Sequence, residues 1–170
     1  MKKIIVPVDF SEQSENALKT AASIATKYGS EIFVLHMLEL SEALVSANEQ
    51  AHYQQAVFLI KLAEKRFETF LEKPYLKGIK VTPIVKHHKV YSEVNEVAEK
   101  HQADLIIMGS HGTDGIAEIF VGSNAEKMVR NSNIPVLVIK DYIEGFEVKR
   151  FVFACDFEEE NLEAFQRAKK

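Results

Sequence analysis

The sequence predicts an α/β fold, a doubly wound, five-stranded parallel sheet of order 3-2-1-4-5 with helices on both faces. Three observations predict it: five short apolar runs of strand length, segments of helical periodicity between them, and a glycine-rich stretch after the fourth run. Alternating strands and helices require right-handed crossovers, and each crossover lays a helix on one face of a parallel sheet.

The first run, Ile4–Val8, is compact and rich in β-branched residues, the pattern of a strand buried on both faces, and it ends at Asp9-Phe10-Ser11. Ser11 is placed to cap the next segment, where Ala17, Leu18, Ala21, Ala22, Ile24 and Ala25 recur at helical spacing until Gly29 stops them. Ile32–Leu38 reads as a second strand, residues 43–71 as a long helix closed by Lys73-Pro74, and Ile79–Val85 as a third strand. A helix over Ser92–His101 carries Val94, Val97 and Ala98 on one face. The fourth run, Leu105–Met108, leads into the glycines. Ala125, Met128 and Val129 then mark a helix opening near Ser123, and Pro135–Ile139 supplies the last strand. In doubly wound sheets ligands sit beyond the carboxyl ends of the strands where the strand order reverses, so the unusual strand ends at Asp9 and Gly109 are expected to be neighbours.

A length of 170 residues suffices for one full core, and 46% apolar with 27% charged residues is a globular composition. The formal charge of −4, with both signs interspersed, leaves no concentrated basic surface for nucleic acid. Met1-Lys2-Lys3 is followed by five apolar residues before Asp9, too few for a secretory signal, and no stretch is long enough for a bilayer. With Cys155 as the single cysteine, no intrachain disulfide can form, and a cytoplasmic location with no membrane partner is expected.

An internal repeat complicates the carboxyl-terminal part. Residues 148–157, Val-Lys-Arg-Phe-Val-Phe-Ala-Cys-Asp-Phe, repeat the layout of residues 1–10 at a constant offset of 147. Lys149 falls on Lys2, Asp156 on Asp9 and Phe157 on Phe10, and the agreement continues with Ala164 on Ala17 and Ala168 on Ala21. The organisation read from this is a domain over residues 1–140, a linker over 141–147, and the first strand and partial helix of a truncated second repeat over 148–170. One strand and part of a helix cannot bury their own apolar faces, so Phe151, Val152, Phe153 and Phe157 need a host surface.

The residues that carry chemistry are Gly109-Ser110-His111-Gly112, nine intervening residues, and Gly122-Ser123-Asn124. Glycines at 109 and 112 let the main chain turn tightly and present bare N–H groups to an anion. Gly122-Ser123 opens a helix whose unpaired N–H groups and positive dipole end favour phosphate, and the Ser123 hydroxyl adds a donor. The position after strand four of a doubly wound sheet separates this pattern from ordinary turn glycines.

These segments resemble the universal stress protein family in its nucleotide-binding branch. Ile4-Ile5-Val6-Pro7-Val8-Asp9-Phe10-Ser11 resembles that family's first strand and its aspartate, and Val34-Leu35-His36-Met37 the end of its second. Asp104–Gly112 and Val121–Lys127 resemble its glycine signature, and Asn133–Ile139 its closing strand. The resemblance implies ATP held between strands one and four. Asp9 then lies by the adenine or ribose, Pro7 and Val8 line the base, and the Met37 main chain meets the adenine. Met108, Gly109, His111, Gly112, Gly122, Ser123 and Asn124 surround the ribose and phosphates. It further implies a homodimer through Val136–Ile139, or pairing with a second repeat in a tandem member.

One departure bears on affinity: the segment between the glycines carries Asp114 and Glu118 where relatives often have basic residues. Two carboxylates near a triphosphate repel it unless a divalent cation or solvent screens them, so weaker binding of ATP, or a requirement for Mg²⁺, is expected. Asp9 also has a structural reading, as a capping carboxylate beside Ser11. Two rival functions stand beside a regulatory nucleotide binder. A slow ATP hydrolase would have His111 and Asp114 to position water, and an interaction module would have lost its ligand. His87-His88 lacks partners at ligand spacing for a metal, and His36 reads as packing at a strand end. The apolar stripe of the long helix, Val57, Phe58, Ile60, Leu62, Phe67 and Phe70, reads as core, with interface as the alternative.

Overall fold

The computed structural model describes residues 1–38, 49–87, 90–110, 122–156, 159, 161, 162, 165 and 166. Its elements alternate as β1 (Lys3–Val8), α1 (Glu12–Tyr28), β2 (Glu31–Leu38), α2 (Glu49–Leu71), a 3-10 turn (Pro74–Leu76), β3 (Val81–His87), α3 (Val90–His101), β4 (Leu105–Gly109), α4 (Ser123–Asn131) and β5 (Val136–Ile139). All pairings are parallel, in the order β3-β2-β1-β4-β5, as the sequence predicts.

The period-2 alternation along each strand sends neighbouring side chains to opposite faces, which divides the interior into two cores. Ile4, Val6 and Val8 of β1, with Ile32 and Val34 of β2, pack under α1 and the carboxyl-terminal half of α2. Ile5, Phe33, Leu35, Ile106 and Met108 pack on the other face against Val94 and Val97 of α3 and Ala125 and Met128 of α4. Ile4, Ile5, Leu18, Ile32, Ile106 and Met128 are fully buried, each contributing on the order of 2–3 kcal/mol by transfer from water.

α1 begins and ends as its sequence dictates. The Ser11 side chain accepts from the Ser14 N–H, and Gly29, at φ 66°, returns its N–H to the Ala25 carbonyl. β3 starts at Val81 rather than at Ile79, because Gly78 adopts φ 83° and the Ile79 N–H still bonds back to Leu76. α3 starts at Val90 rather than at Ser92.

The core reading of the α2 stripe holds only in part. Phe67 and Phe70 of α2 are buried, but Phe58, Ile60 and Leu62 are exposed, so the stripe is core only where α2 lies over the sheet. Val129 of α4 is exposed as well, since Ala125 and Met128 alone occupy the buried face of that helix. Residues 43–48 of the predicted long helix lie outside the described residues.

Residues 146–156 form no strand, so the strand anticipated within 148–157 is not made in the described part of the tail. A lone strand has no neighbour to complete its backbone hydrogen bonds. The preceding segment does hold to the domain: Phe146 packs on the α1 core, Glu147 bonds to Lys27 at 2.6 Å, and Lys19 lies 5.6 Å from the Tyr142 ring centre. Within the tail, Phe153 contacts Phe151 and Phe165, and Asn161 donates to Asp156. Among the described residues no helix is long and apolar enough to cross a membrane.

Candidate nucleotide site

The order reversal falls between β1 and β4, the point where ligands gather in this architecture. The register Ile4 to Leu105 and Ile5 to Ile106, carried forward, sets Val8 level with Gly109, so the ends bearing Asp9 and Gly109 are neighbours as expected. Pro7 explains why the β1–β4 ladder ends before the strands do. The Lys3 carbonyl accepts from Asp104 and the Lys2 carbonyl from Glu31, so odd residues of β1 face β4 and even ones face β2. Pro7 therefore faces β4 without an N–H to offer it, and the recorded β1–β4 pairing stops at Ile5 while β1–β2 pairing continues to Val8.

Beyond Val8 the chain bends sharply. The Asp9 carboxylate accepts from the Ser11 N–H at 3.0 Å and from the Ser11 hydroxyl at 2.5 Å, while the Ser11 hydroxyl oxygen accepts from the Ser14 N–H at 3.2 Å. The cap of α1 is thus Ser11, and Asp9 braces it. Phe10, between them, takes φ 65°, a left-handed conformation costly for a bulky side chain. Its ring is held by Phe67 and Phe70, edge-on at 5.2 and 5.3 Å, and by His36 at 4.4 Å.

Met37 follows His36 at the carboxyl end of β2, half-buried on the α3 and α4 face. His36 occupies the other face, with its Nδ1 at 2.8 Å from the Val8 carbonyl. Burial holds the imidazole below the usual histidine range and the Arg66 guanidinium adds to this; the Val8 carbonyl and the Asp9 carboxylate oppose it.

The two glycine bends converge. Met108 is buried in the core under α3 and α4, Ser110 donates its N–H to the Ile139 carbonyl at 2.9 Å, and Gly122 donates its N–H to the Ser110 carbonyl at 2.5 Å. α4 starts at that junction with Gly122 as its N-cap, no side chain caps it, and Ser123 and Asn124 are exposed on its first turn. The first N–H groups of a helix have no partner within it, so this end offers donors to an anion. His111, Gly112, Asp114 and Glu118 lie outside the described residues.

Gly109 has a purpose beyond the one read from the sequence. A Cβ added there would stand 2.9 Å from the main-chain carbon and oxygen of Gln13, so glycine is required for the first turn of α1 to approach the end of β4. Gly122, at φ −56°, has an ordinary backbone conformation. The left-handed bend at Phe10 is what sequence reasoning missed, because a phenylalanine carries no sign of such a backbone; His36 packs at the strand end, as the sequence predicts.

A groove of about 690 Å³ lined by Lys2, Lys3, Lys77 and Lys80 lies at the opposite, amino-terminal end of the strands, where Lys80 pairs with Glu31 at 2.7 Å and Lys3 with the His101 carbonyl at 2.8 Å. Among the described residues no three His, Cys, Asp or Glu side chains cluster as a metal site would require.

Residues 1–140 match the profile of the Universal stress protein family. Universal stress protein MJ0577 of Methanocaldococcus jannaschii is 32% identical over 153 residues, 82% of this chain and 94% of that protein. The solved structure of MJ0577 superposes with a TM-score of 0.73 at 34% identity, over 84% of this chain and 98% of that one. Two further solved structures share the fold: a universal stress protein in complex with cAMP, at 19% identity, 82% and 96% coverage and a TM-score of 0.53, and one from Archaeoglobus fulgidus in complex with dAMP, at 21% identity, 82% and 98% coverage and a TM-score of 0.53.

Proposed function

The chain belongs to the universal stress protein family, and on that premise we propose that it is a non-catalytic regulator that binds ATP, with Mg²⁺, at the reversal between β1 and β4. The observation that carries this reading is the bond from the Gly122 N–H to the Ser110 carbonyl, which brings both glycine bends together beside the uncapped start of α4. In this reading Pro7, Val8 and the Met37 main chain form the base slot, and Asp9 faces the sugar. Met108, Gly109, His111, Gly112, Gly122, Ser123 and Asn124 take the ribose and phosphates. The cAMP and dAMP complexes of two proteins of this fold support adenine nucleotides as the ligand class.

Regulation follows from which residues the nucleotide touches. Phosphates held by the segment between Gly109 and Ser123 alter the surface beside β5, one of the two edge strands of the sheet. Val136–Ile139 then serves as the dimer edge, or pairs with a second repeat that opens at Val148. The test is calorimetric titration of the purified protein with ATP and Mg²⁺, joined to thermal unfolding. Nucleotide at 100 times its dissociation constant stabilises the native state by about 2.7 kcal/mol. An unmoved melting curve in millimolar ATP leaves the interaction module as the better reading, and phosphate release that His111→Ala abolishes favours the hydrolase.

A further inference from the structure

His36 is unused by the nucleotide reading, yet it touches both walls of the proposed base slot. It immediately precedes Met37 in β2, and its side chain reaches across to the Val8 carbonyl at 2.8 Å. A carbonyl can only accept, so Nδ1 carries the proton and, in the neutral ring, Nε2 holds the lone pair. The same ring lies 4.4 Å from that of Phe10, tilted by 47°, and 6.3 Å from Phe67, edge-on. Phe10 sits at φ 65°, and such strain persists where the surroundings over-determine it. The surroundings here are His36, Phe67 and Phe70, with the Arg66 guanidinium 5.7 Å from the Phe10 ring centre.

We propose that His36 is a positioning residue for the nucleotide site: its neutral ring, bonded to Val8 and packed against Phe10, holds the Asp9–Phe10 bend, and protonation releases that bend. The inference rests on the proposed nucleotide reading and adds to it a proton-sensitive control. Among the described residues the charged groups facing the ring are Arg66 from α2 and Asp9 from the end of β1, and its register neighbour on β3, Val85, is apolar. A proton on Nε2 creates a second N–H needing a partner and places a cation in a half-buried site near Arg66. Turning toward water relieves both, and in turning the ring leaves Val8 and Phe10. The Val8 carbonyl, which a charged ring would hold more tightly, and attraction to Asp9 oppose the release; the Asp9 attraction is shared with the hydrogen bonds that Asp9 already accepts from Ser11.

Three proteins test this by ATP titration between pH 7.5 and 5.5: the unaltered chain, His36→Asn and His36→Phe. Asparagine places its amide nitrogen near the Nδ1 position and keeps a donor that does not titrate, whereas phenylalanine keeps the ring and loses the donor. At pH 7.5 the expected order is the unaltered chain, His36→Asn weaker by no more than about threefold, and His36→Phe weaker by about tenfold. On acidification the unaltered chain loses a few-fold more affinity than His36→Asn, whose profile reports the titration of ATP itself. Equal binding by His36→Phe, or parallel pH profiles for the unaltered chain and His36→Asn, overturns the proposal.

Nuclear magnetic resonance of the free protein separates this inference from the nucleotide reading. The His36 ring nitrogens and the Asp9 and Phe10 amides are expected to titrate together. If they do while no ATP binds at any pH, the latch stands and the nucleotide reading fails. Asp9 and Phe10 amides that ignore the His36 titration remove the latch whether or not ATP binds.

Discussion

Single atoms decide the outcome at Gly109 and Tyr75. A methyl group at position 109 would meet Gln13 main-chain atoms at 2.9 Å, and main chain cannot swing aside. Gly109→Ala is expected to destabilise the ligand-free protein by about 1–3 kcal/mol, measured by denaturant unfolding, because the clash lies between β4 and α1 and needs no phosphate to act. Tyr75 presents the opposite case. Its hydroxyl is buried without a hydrogen-bond partner among the described residues, and burial pushes its ionisation above the usual phenol range, with the Glu15 charge adding to it. Tyr75→Phe removes a polar atom that was dehydrated without recompense, so the melting midpoint is expected to hold or to rise by the equivalent of about 1 kcal/mol. The glycine pattern at 109–112 and 122 was legible in the sequence because glycine marks where a chain must come close to something. What it comes close to was not legible: Gly109 meets a helix 96 positions earlier in the chain (109 − 13). The Phe10 strain was equally hidden, since only tertiary contacts with Phe67, Phe70 and His36 sustain it.

Among the elements, legibility followed how much of a segment's fate is local. Strands β1, β2 and β4 are nearly continuous apolar runs because both faces are covered, and each was recognisable without knowing its neighbours. α2 was harder, because its apolar residues exceed the face the sheet can cover, and periodicity cannot say which half docks. At the amino-terminal ends of β1 and β4, Asp104 is a tie that the strand pattern does not announce. Its carboxylate accepts from the Lys2 N–H at 2.6 Å and the Lys3 N–H at 2.9 Å, and these two bonds hold its ionisation below the usual carboxylate range. Asp104→Ala is expected to cost about 1 kcal/mol at neutral pH, a modest figure because the group is largely exposed and solvent screens it. A folded-state value below the unfolded one means that the contribution is complete above about pH 4 and is lost as pH falls through the lower folded value. The difference in unfolding free energy between the two proteins is therefore expected to shrink on acidification below about pH 4, and a difference constant to pH 2 would assign the effect to packing instead.

At the level of the whole molecule, the two cores close without the described part of the carboxyl-terminal segment. Among the described residues, Phe146 is the last in contact with the α1 core, Glu147 makes the last ion pair to that helix, and neither core cluster includes a residue from Val148 onward. The segment beyond instead exposes Val148, Phe151, Val152 and Leu162, with Val152 at 89% of its full accessibility. Burial of such side chains is worth on the order of 2 kcal/mol each, so their exposure adds little to the stability of the domain they follow. A chain ending at Glu147 is therefore expected to unfold at the same denaturant concentration as the 170-residue chain, within about 0.5 kcal/mol. Equilibrium unfolding in urea at several protein concentrations makes the comparison and distinguishes its alternatives. A loss of more than about 1 kcal/mol that is independent of concentration would mean that residues 148–170 do dock on their own domain. A loss that grows with concentration would place them against a second molecule, because mass action enters only when the buried partner belongs to another chain.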